Sequence, residues 1–81
     1  MRVVLSDRAV DALREAPQSV RRAFNKQLRF LAKNLNHPSL QAKKYNKALD
    51  LWQGRLSGDW RFYFTVEKAT YRIEDVIPNP K

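Results

Sequence analysis

Two arginines flank a short polar turn in the second half of the chain, at a spacing that lets both contact one anion. Arg55 precedes the turn Ser57-Gly58-Asp59, and Arg61 follows it. A three-residue loop centred on Gly58 pairs the arginines directly across a β-hairpin, with both side chains on one face. Like charges so placed destabilise a hairpin by roughly 0.2–1 kcal/mol. A phosphate between them reverses the sign, because guanidinium groups match its oxygens. The pattern therefore predicts an anion site.

The same register places Gln53 opposite Tyr63 on the arginine face, where the tyrosine ring is a candidate for stacking on a nucleobase. Lys43, Lys44 and Lys47 precede the hairpin and are expected to line one edge of this surface. The other face of the hairpin is apolar and should cover the helices. Its predicted cross-strand pairs are Leu56 with Trp60, Gly54 with Phe62, and Trp52 with Phe64.

An ion pair within the fold is the alternative role for the two arginines. Asp59, Glu74 or Asp75 can neutralise one of them, and exposed pairs of this kind contribute about 0–1 kcal/mol. Glu74 and Asp75 are adjacent, so strand alternation predicts that they point to opposite faces. A shift of one residue would exchange the two faces of the hairpin, so its register decides between these interpretations.

The composition of the chain favours a polyanionic partner. Its 81 residues include sixteen Lys and Arg against eight Asp and Glu, a net charge of +8. Such an excess attracts nucleic acid, acidic proteins or anionic membranes; an ordinary cationic surface is the alternative. The chain has no cysteine, which excludes disulfides and thiolate metal sites and fits the cytoplasm. The apolar run near the N-terminus is too short for a signal peptide or a membrane span, so we expect no membrane partner.

Two amphipathic helices are predicted before the hairpin. The spacing of Val10, Leu13 and Ala16 indicates a helix over residues 7–15, capped by Ser6 or Asp7. A longer helix should begin with Pro17 in its first turn and end before the His37-Pro38 pair. Its apolar stripe comprises Val20, Phe24, Leu28, Leu31 and Leu35. Its basic stripe is either a solvated face or a contact for RNA or a partner, and comprises Arg22, Lys26, Arg29 and Lys33.

The remaining segments predict strands. Residues 2–5 should form a short edge strand, and a further short strand is expected around 41–45. Residues 51–56, 60–66 and 70–77 are rich in aromatic and branched side chains and should form an antiparallel meander. The predicted order is β-α-α-β-β-β-β, an α+β domain spanning 1–81 with two helices on one face of a twisted antiparallel sheet. His37 is interpreted as a loop or cap residue, and we expect neither a metal site nor a cofactor.

Three stretches of this sequence resemble the RelE/ParE superfamily of toxins. The run from Leu51 to Phe64 is similar to their central hairpin: an aromatic residue, an arginine soon after, a polar turn, an aromatic-arginine pair and a hydrophobic strand. The stretch His37-Pro38-Ser39-Leu40 followed by Lys43-Lys44 is similar to a subset of the family, as is the ending Pro78-Asn79-Pro80-Lys81. The order of predicted elements matches the RelE-like fold along nearly the whole chain.

The resemblance implies the toxin of a bacterial type II toxin–antitoxin pair. RelE-like and YoeB-like members cut mRNA in the ribosomal A site, with the ribose 2′-OH as nucleophile. Arg61 matches the family's strand arginine, Arg55 matches a second basic position, and Lys44 resembles a lysine of the preceding strand; these three are the implied catalytic residues. The candidates for RNA binding are Lys43, Lys47, Tyr63, Gln53, Lys81 and Arg29.

The sequence departs from the family at positions that some members use for proton transfer. Ala42 stands near the place of a glutamate base, and Asn79 and Lys81 stand where many members carry a terminal histidine or tyrosine. Two alternatives therefore stay open: a ParE-like inhibitor of DNA gyrase, and an RNA-binding member with weak or no catalysis. The partners implied for the toxin are the ribosome with its mRNA and a cognate antitoxin that is acidic or partly disordered.

Overall fold

Two α-helices and a five-stranded sheet make up residues 2–78, the part of the chain that the computed structural model describes. The predicted order of elements and the α+β class are confirmed. In chain order the elements are β1 (Arg2–Leu5), α1 (Asp7–Glu15), α2 (Gln18–Lys33), a 3₁₀ turn (Pro38–Leu40), β2 (Lys43–Asn46), β3 (Leu51–Arg55), β4 (Trp60–Glu67) and β5 (Thr70–Pro78).

Helix α1 begins where a serine can replace the missing helical hydrogen bonds. The hydroxyl oxygen of Ser6 accepts from the backbone N–H of Ala9 at 3.1 Å, while its hydrogen is donated to the carbonyl of Glu74 at 2.8 Å. Of the two predicted caps, Ser6 is therefore the one used, and it also ties the start of α1 to β5. The helix ends at Glu15, just before Pro17.

Helix α2 packs its predicted apolar stripe against the sheet. Val20, Phe24 and Leu31 are buried, whereas Leu35 lies beyond the end of the helix at Lys33, so the predicted stripe is one turn too long. Pro17 is the residue before the helix and not part of its first turn. The predicted basic stripe is exposed at all four positions, Arg22, Lys26, Arg29 and Lys33. Neither α1 nor α2 combines the length and apolarity needed to cross a bilayer.

The loop after α2 confirms the structural role expected of His37. Its imidazole stacks on the ring of Phe30, with 3.9 Å between ring centroids. Its Nδ1 accepts a hydrogen bond from the backbone N–H of Ser39 at 3.2 Å and so caps the 3₁₀ turn.

The sheet has the order β1-β5-β4-β3-β2. Strands β2 to β5 form the predicted antiparallel meander, but β1 pairs parallel to β5, with Val3 opposite Tyr71 and Leu5 opposite Ile73. The expectation of an entirely antiparallel sheet is therefore wrong in this detail. Short turns force antiparallel pairing of β2 to β5, whereas β1 reaches the sheet through two helices and is free of that constraint.

The core lies between the helices and one face of the sheet, which we call the helix face. Phe62 and Phe64 of β4 have no exposed surface, and Phe62 meets Phe24 of α2 edge to face at 6.0 Å. Gly54 of β3 lies opposite Phe62. A Cβ at this glycine would lie 2.7 Å from Cε1 of Phe62, so the ring occupies the space that any other residue would fill.

Gly54→Ala should therefore destabilise the fold by overpacking, which costs about 1–3 kcal/mol in a tightly packed core. Urea unfolding measures the loss. Gly58→Ala is the matched control, because nothing lies within 4 Å of its added methyl and its φ is not positive. That change should alter the free energy of unfolding by less than about 0.5 kcal/mol. Equal effects of the two substitutions would contradict the packing described here.

Candidate nucleic-acid interface

The predicted register of the central hairpin is confirmed. Arg55 of β3 pairs with Arg61 of β4, and Gln53 pairs with Tyr63. These residues share the face of the sheet opposite Phe62 and Phe64, which we call the open face. Lys43 of β2 pairs with Gln53 and joins the same face. The hairpin thus places the two arginines directly opposite each other on one face, with Lys43 two strands away from Arg61.

No carboxylate neutralises either arginine of this pair within residues 2–78. The ion-pair alternative required a contact from Asp59, Glu74 or Asp75, and that alternative is wrong. The ion pairs found in the described chain join Arg14 to Asp11, Lys44 to Asp50, and Arg72 to Glu74.

Backbone carbonyls orient Arg61 without cancelling its charge. Its Nη1 donates to the carbonyl of Ser57 at 2.8 Å and to that of Trp60 at 2.9 Å, so one end of the guanidinium is fixed on the turn. The Nε and Nη2 groups make no hydrogen bond to any described residue. A guanidinium has five N–H donors in a planar fork, so the free edge of Arg61 retains donors for an anion.

A buried glutamine holds the strand that carries Arg55. Gln27 of α2 is 6% exposed, and its Nε2 donates to the carbonyls of Ser39 at 2.9 Å and Arg55 at 2.8 Å. Its Oε1 accepts from the hydroxyl of Ser39 at 3.1 Å. Gln27 therefore ties α2 and the 3₁₀ turn to the end of β3. In the sequence, only the position of Gln27 within the apolar stripe of α2 indicates that its side chain is buried.

Lys44 does not reach the open face, which corrects the expectation that it lines the arginine surface. It pairs with Trp52, whose side chain belongs to the helix face. Its Nζ lies 4.9 Å from the centre of the Trp52 ring and forms an ion pair with Asp50. Alternation along β2 sends Lys43 and Lys44 to opposite faces, so of the two only Lys43 joins the arginines.

The other predicted RNA-binding cations are spread over the surface. Lys47 is exposed in the turn between β2 and β3. Arg29 is exposed on α2, which covers the opposite side of the sheet from the arginine pair. Lys81 lies outside the described residues.

Tyr45, and not Tyr63, presents an aromatic ring to solvent. Tyr63 is 7% exposed and its hydroxyl accepts from Nε2 of Gln53 at 2.9 Å, so the prediction that it stacks on a base is contradicted by its burial. The ring of Tyr45 lies edge to face on Tyr63, with 5.0 Å between centroids, and is 58% exposed. Alternation along β2 returns Tyr45 to the face of Lys43, and the bulge between Lys44 and Asn46 leaves Tyr45 without a cross-strand partner.

The chain resembles known proteins in its three-dimensional structure, whereas comparisons of its sequence find no match. No protein-family model matches the chain, and no curated protein matches it. A chain of the archaeal RelE–RelB complex from Pyrococcus horikoshii superposes with a TM-score of 0.82 at 24% identity, covering 99% of this chain and 96% of that one. The chain has the RelE fold.

Other structures with the RelE fold agree over similar lengths. The YoeB/ParE toxin from Agrobacterium tumefaciens superposes with a TM-score of 0.82 at 12% identity, covering 99% of this chain and all of that one. The isolated RelE toxin of E. coli gives a TM-score of 0.79 at 18% identity, covering 99% of this chain and 85% of that one. The fold predicted from the resemblance is thereby confirmed.

Within this RelE fold, the two arginines should contribute oppositely to stability. Arg55→Gln removes the repulsion between them and should raise the free energy of unfolding by roughly 0.2–1 kcal/mol. Arg61→Gln relieves the same repulsion but loses the bonds to the turn carbonyls, each worth about 0.5–1.5 kcal/mol, so it should be destabilising. Urea unfolding of both variants checks the ranking. A stability loss on Arg55→Gln as large as that on Arg61→Gln would contradict it.

Proposed function

We propose that this chain is the toxin of a toxin–antitoxin pair and that it inhibits translation by cleaving mRNA on the ribosome. The observation that carries the proposal is the Arg55–Arg61 pair, which lies on one face of the hairpin with no carboxylate partner. A fold keeps such a pair at a cost to its own stability. The resemblance of the hairpin to RelE-like toxins and the RelE fold of the chain support the same function.

The arginine pair suits a reaction in which negative charge grows on phosphorus. When a ribose 2′-OH loses its proton and attacks the adjacent phosphate, a 2′,3′-cyclic phosphate forms, the bond to the 5′-oxygen of the next nucleotide breaks, and that oxygen takes up a proton. The charge on the non-bridging oxygens increases in the transition state. Fixed donors aimed at those oxygens stabilise that state more than the ground state. Arg61 meets this requirement because the turn carbonyls of Ser57 and Trp60 hold it in place before RNA binds.

Proton transfer is the part of the reaction for which the arginine pair is least suited, because guanidinium groups stay protonated. Lys44 is engaged by Asp50 and Trp52 on the other side of the sheet. Lys43 is exposed and lies on the open face. We therefore propose that the chain contributes chiefly electrostatic stabilisation through Arg55 and Arg61, with Lys43 binding the RNA backbone beside them.

Primer extension on an mRNA under translation tests this proposal. Cleavage should require ribosomes and should fall about 10²–10³-fold on Arg61→Gln, the loss typical of removing one such donor, and should fall on Arg55→Gln as well. Arg14→Gln is the matched control, since Arg14 is exposed on α1 and pairs with Asp11. Cleavage that persists undiminished in both hairpin variants would contradict the proposal.

Inhibition of DNA gyrase is the second candidate function, because one structure with this fold is named a YoeB/ParE toxin. The same purified protein can be added to a supercoiling assay. Loss of supercoiling without any cleavage of translated mRNA would replace the first proposal with this one.

We further propose that an acidic antitoxin covers the open face. Several chains with this fold were solved in complexes with RelB, from Pyrococcus horikoshii and Methanococcus jannaschii, or with YefM, from Staphylococcus aureus. This chain carries a net charge of +8, and a carboxylate placed between Arg55 and Arg61 would remove their repulsion as a phosphate does.

The proposed complex should be strongly sensitive to salt, because screening weakens attraction between oppositely charged surfaces. Its dissociation constant for the protein encoded beside this gene should rise steadily over a ten-fold range of sodium chloride. The double variant Arg55→Gln/Arg61→Gln should bind more weakly, and its dissociation constant should depend less on salt, as calorimetry can measure. Arg14→Gln should change neither the affinity nor its salt dependence. A dissociation constant independent of salt would contradict the electrostatic model of the complex.

A further inference from the structure

A cleft of about 370 Å³ opens beside the arginine pair, on the same side of the sheet. Ile77 in its wall is the direct cross-strand partner of Arg61, and Tyr63 follows Arg61 by two residues. Because a strand rises about 3.3 Å per residue, the Cα atoms of Arg61 and Tyr63 lie about 7 Å apart. A nucleotide whose phosphate lies between the arginines can therefore place its base in this cleft. The lining residues are Ser6, Arg8, Tyr45, Leu51, Tyr63, Glu74, Asp75 and Ile77.

A second bulge brings Asp75 into this cleft. Phe64 pairs with Ile73 but Tyr63 pairs with Asp75, so Glu74 is an additional residue in β5. The bulge lets Glu74 and Asp75 line the same cleft, which corrects the expectation that they point to opposite faces.

The two carboxylates differ in their partners. The carboxylate of Glu74 already has two partners within the fold. It accepts a hydrogen bond from the hydroxyl of Thr65 at 3.2 Å and forms an ion pair with Arg72. Asp75 is half-buried, and its Oδ1 accepts from the backbone N–H of Val76 at 2.9 Å. Within residues 2–78 it has neither a cationic partner nor a bond to Oδ2. In a chain with twice as many cations as anions, a half-buried carboxylate left with a free oxygen favours a ligand that donates hydrogen bonds.

The remaining walls match a flat aromatic ligand with a mixed polar edge. Tyr45 offers an exposed ring on which a base can stack. Leu51 and Ile77 supply apolar walls. Arg8 supplies a donor, so the cleft offers both an acceptor at Asp75 and a donor at Arg8. Guanine presents adjacent imino and amino N–H groups beside a carbonyl oxygen, whereas uracil presents a single N–H group.

We propose that this cleft is a nucleobase subsite that selects guanine, with the base stacked on Tyr45 and its N–H edge bound by Asp75. This inference rests on the proposed function, because it takes the ligand to be RNA. It adds a specificity-determining aspartate and an aromatic platform that lie outside the Arg55–Arg61 hairpin.

Nuclear magnetic resonance titrations with 5′-GMP, 5′-UMP and inorganic phosphate test the subsite without ribosomes. The wild-type protein should bind GMP about ten-fold more tightly than UMP, within the range typical of a specific polar contact to a base. The resonances of Tyr45 and Asp75 should shift with GMP but not with phosphate. Equal affinity for the two nucleotides, or no binding of GMP at millimolar concentration, would overturn the inference.

Two variants, each with a control, separate the roles of Asp75 and Tyr45. Asp75→Asn keeps an oxygen for the Val76 N–H and should reduce the affinity for GMP to that for UMP, leaving the affinity for phosphate unchanged. Asp59→Asn is the matched control, because it makes the same charge change at an exposed turn residue and should keep the preference. Tyr45→Ala should weaken the binding of GMP and UMP alike, whereas Tyr45→Phe should leave both affinities unchanged. Retained GMP preference in Asp75→Asn would overturn the subsite.

Failure of the guanine subsite and failure of the proposed cleavage give different results. Ribosome-dependent cleavage that is lost on Arg61→Gln, in a protein without GMP preference, would leave the function standing and reject the subsite. A GMP preference that Asp75→Asn removes, in a protein that never cleaves mRNA, would support the subsite and reject the cleavage.

Discussion

Repulsion between Arg55 and Arg61 is the constraint on which the proposed function of this chain depends. The hairpin register sets the two residues opposite each other. Gln27 donates a hydrogen bond to the backbone carbonyl of Arg55, and the carbonyl of Ser57 accepts one from the guanidinium of Arg61. Because neither arginine has a carboxylate partner in the described residues, their charges remain available to a ligand. In the proposed function, an anion bound between them would recover the free energy that this repulsion costs the fold.

The rest of the structure keeps this strained pair in place from the opposite side of the sheet. Phe62 alternates with Arg61 along β4 and is completely buried, so the register cannot shift by one residue without exposing the aromatic core. The close approach of Phe62 to Gly54 makes the same pairing sterically specific. The core thus stabilises a surface arrangement that the repulsion between Arg55 and Arg61 opposes.

The hairpin could be predicted from sequence because two independent patterns agree on its register. The alternation of aromatic residues through Trp52, Phe62 and Phe64 requires one register, and a three-residue turn at Gly58 requires the same one. The bounds of α1 and the structural role of His37 were likewise predictable, since each depends on neighbouring residues alone, whereas the end of α2 at Lys33 comes about one turn earlier than its apolar pattern predicts. The parallel pairing of β1 was not, because it depends on how two helices return the chain to the sheet.

One bulge and one aromatic contact account for most of what could not be predicted in the site. Strict alternation separates Lys43 from Lys44 and places Tyr45 on the face of Lys43, but it does not reveal that the Tyr45 ring packs on Tyr63. The bulge at Glu74 brings Asp75 opposite Tyr63. The bulge at Glu74 has no distinctive residue pattern in the sequence, so the position of Asp75 in the cleft became visible only in three dimensions. Gln27 was hidden for a different reason: a polar residue in an apolar stripe is recognised as a link only once its buried partners are known.

A double-mutant cycle of Arg55→Gln and Arg61→Gln tests the central claim most directly. Urea unfolding of the four proteins gives the coupling free energy between the two side chains, first in dilute chloride buffer and then with saturating inorganic pyrophosphate. The account predicts a coupling that is unfavourable without pyrophosphate and becomes favourable with it. A coupling of zero under both conditions would show that the two guanidinium groups neither repel each other nor share an anion, and would contradict the account.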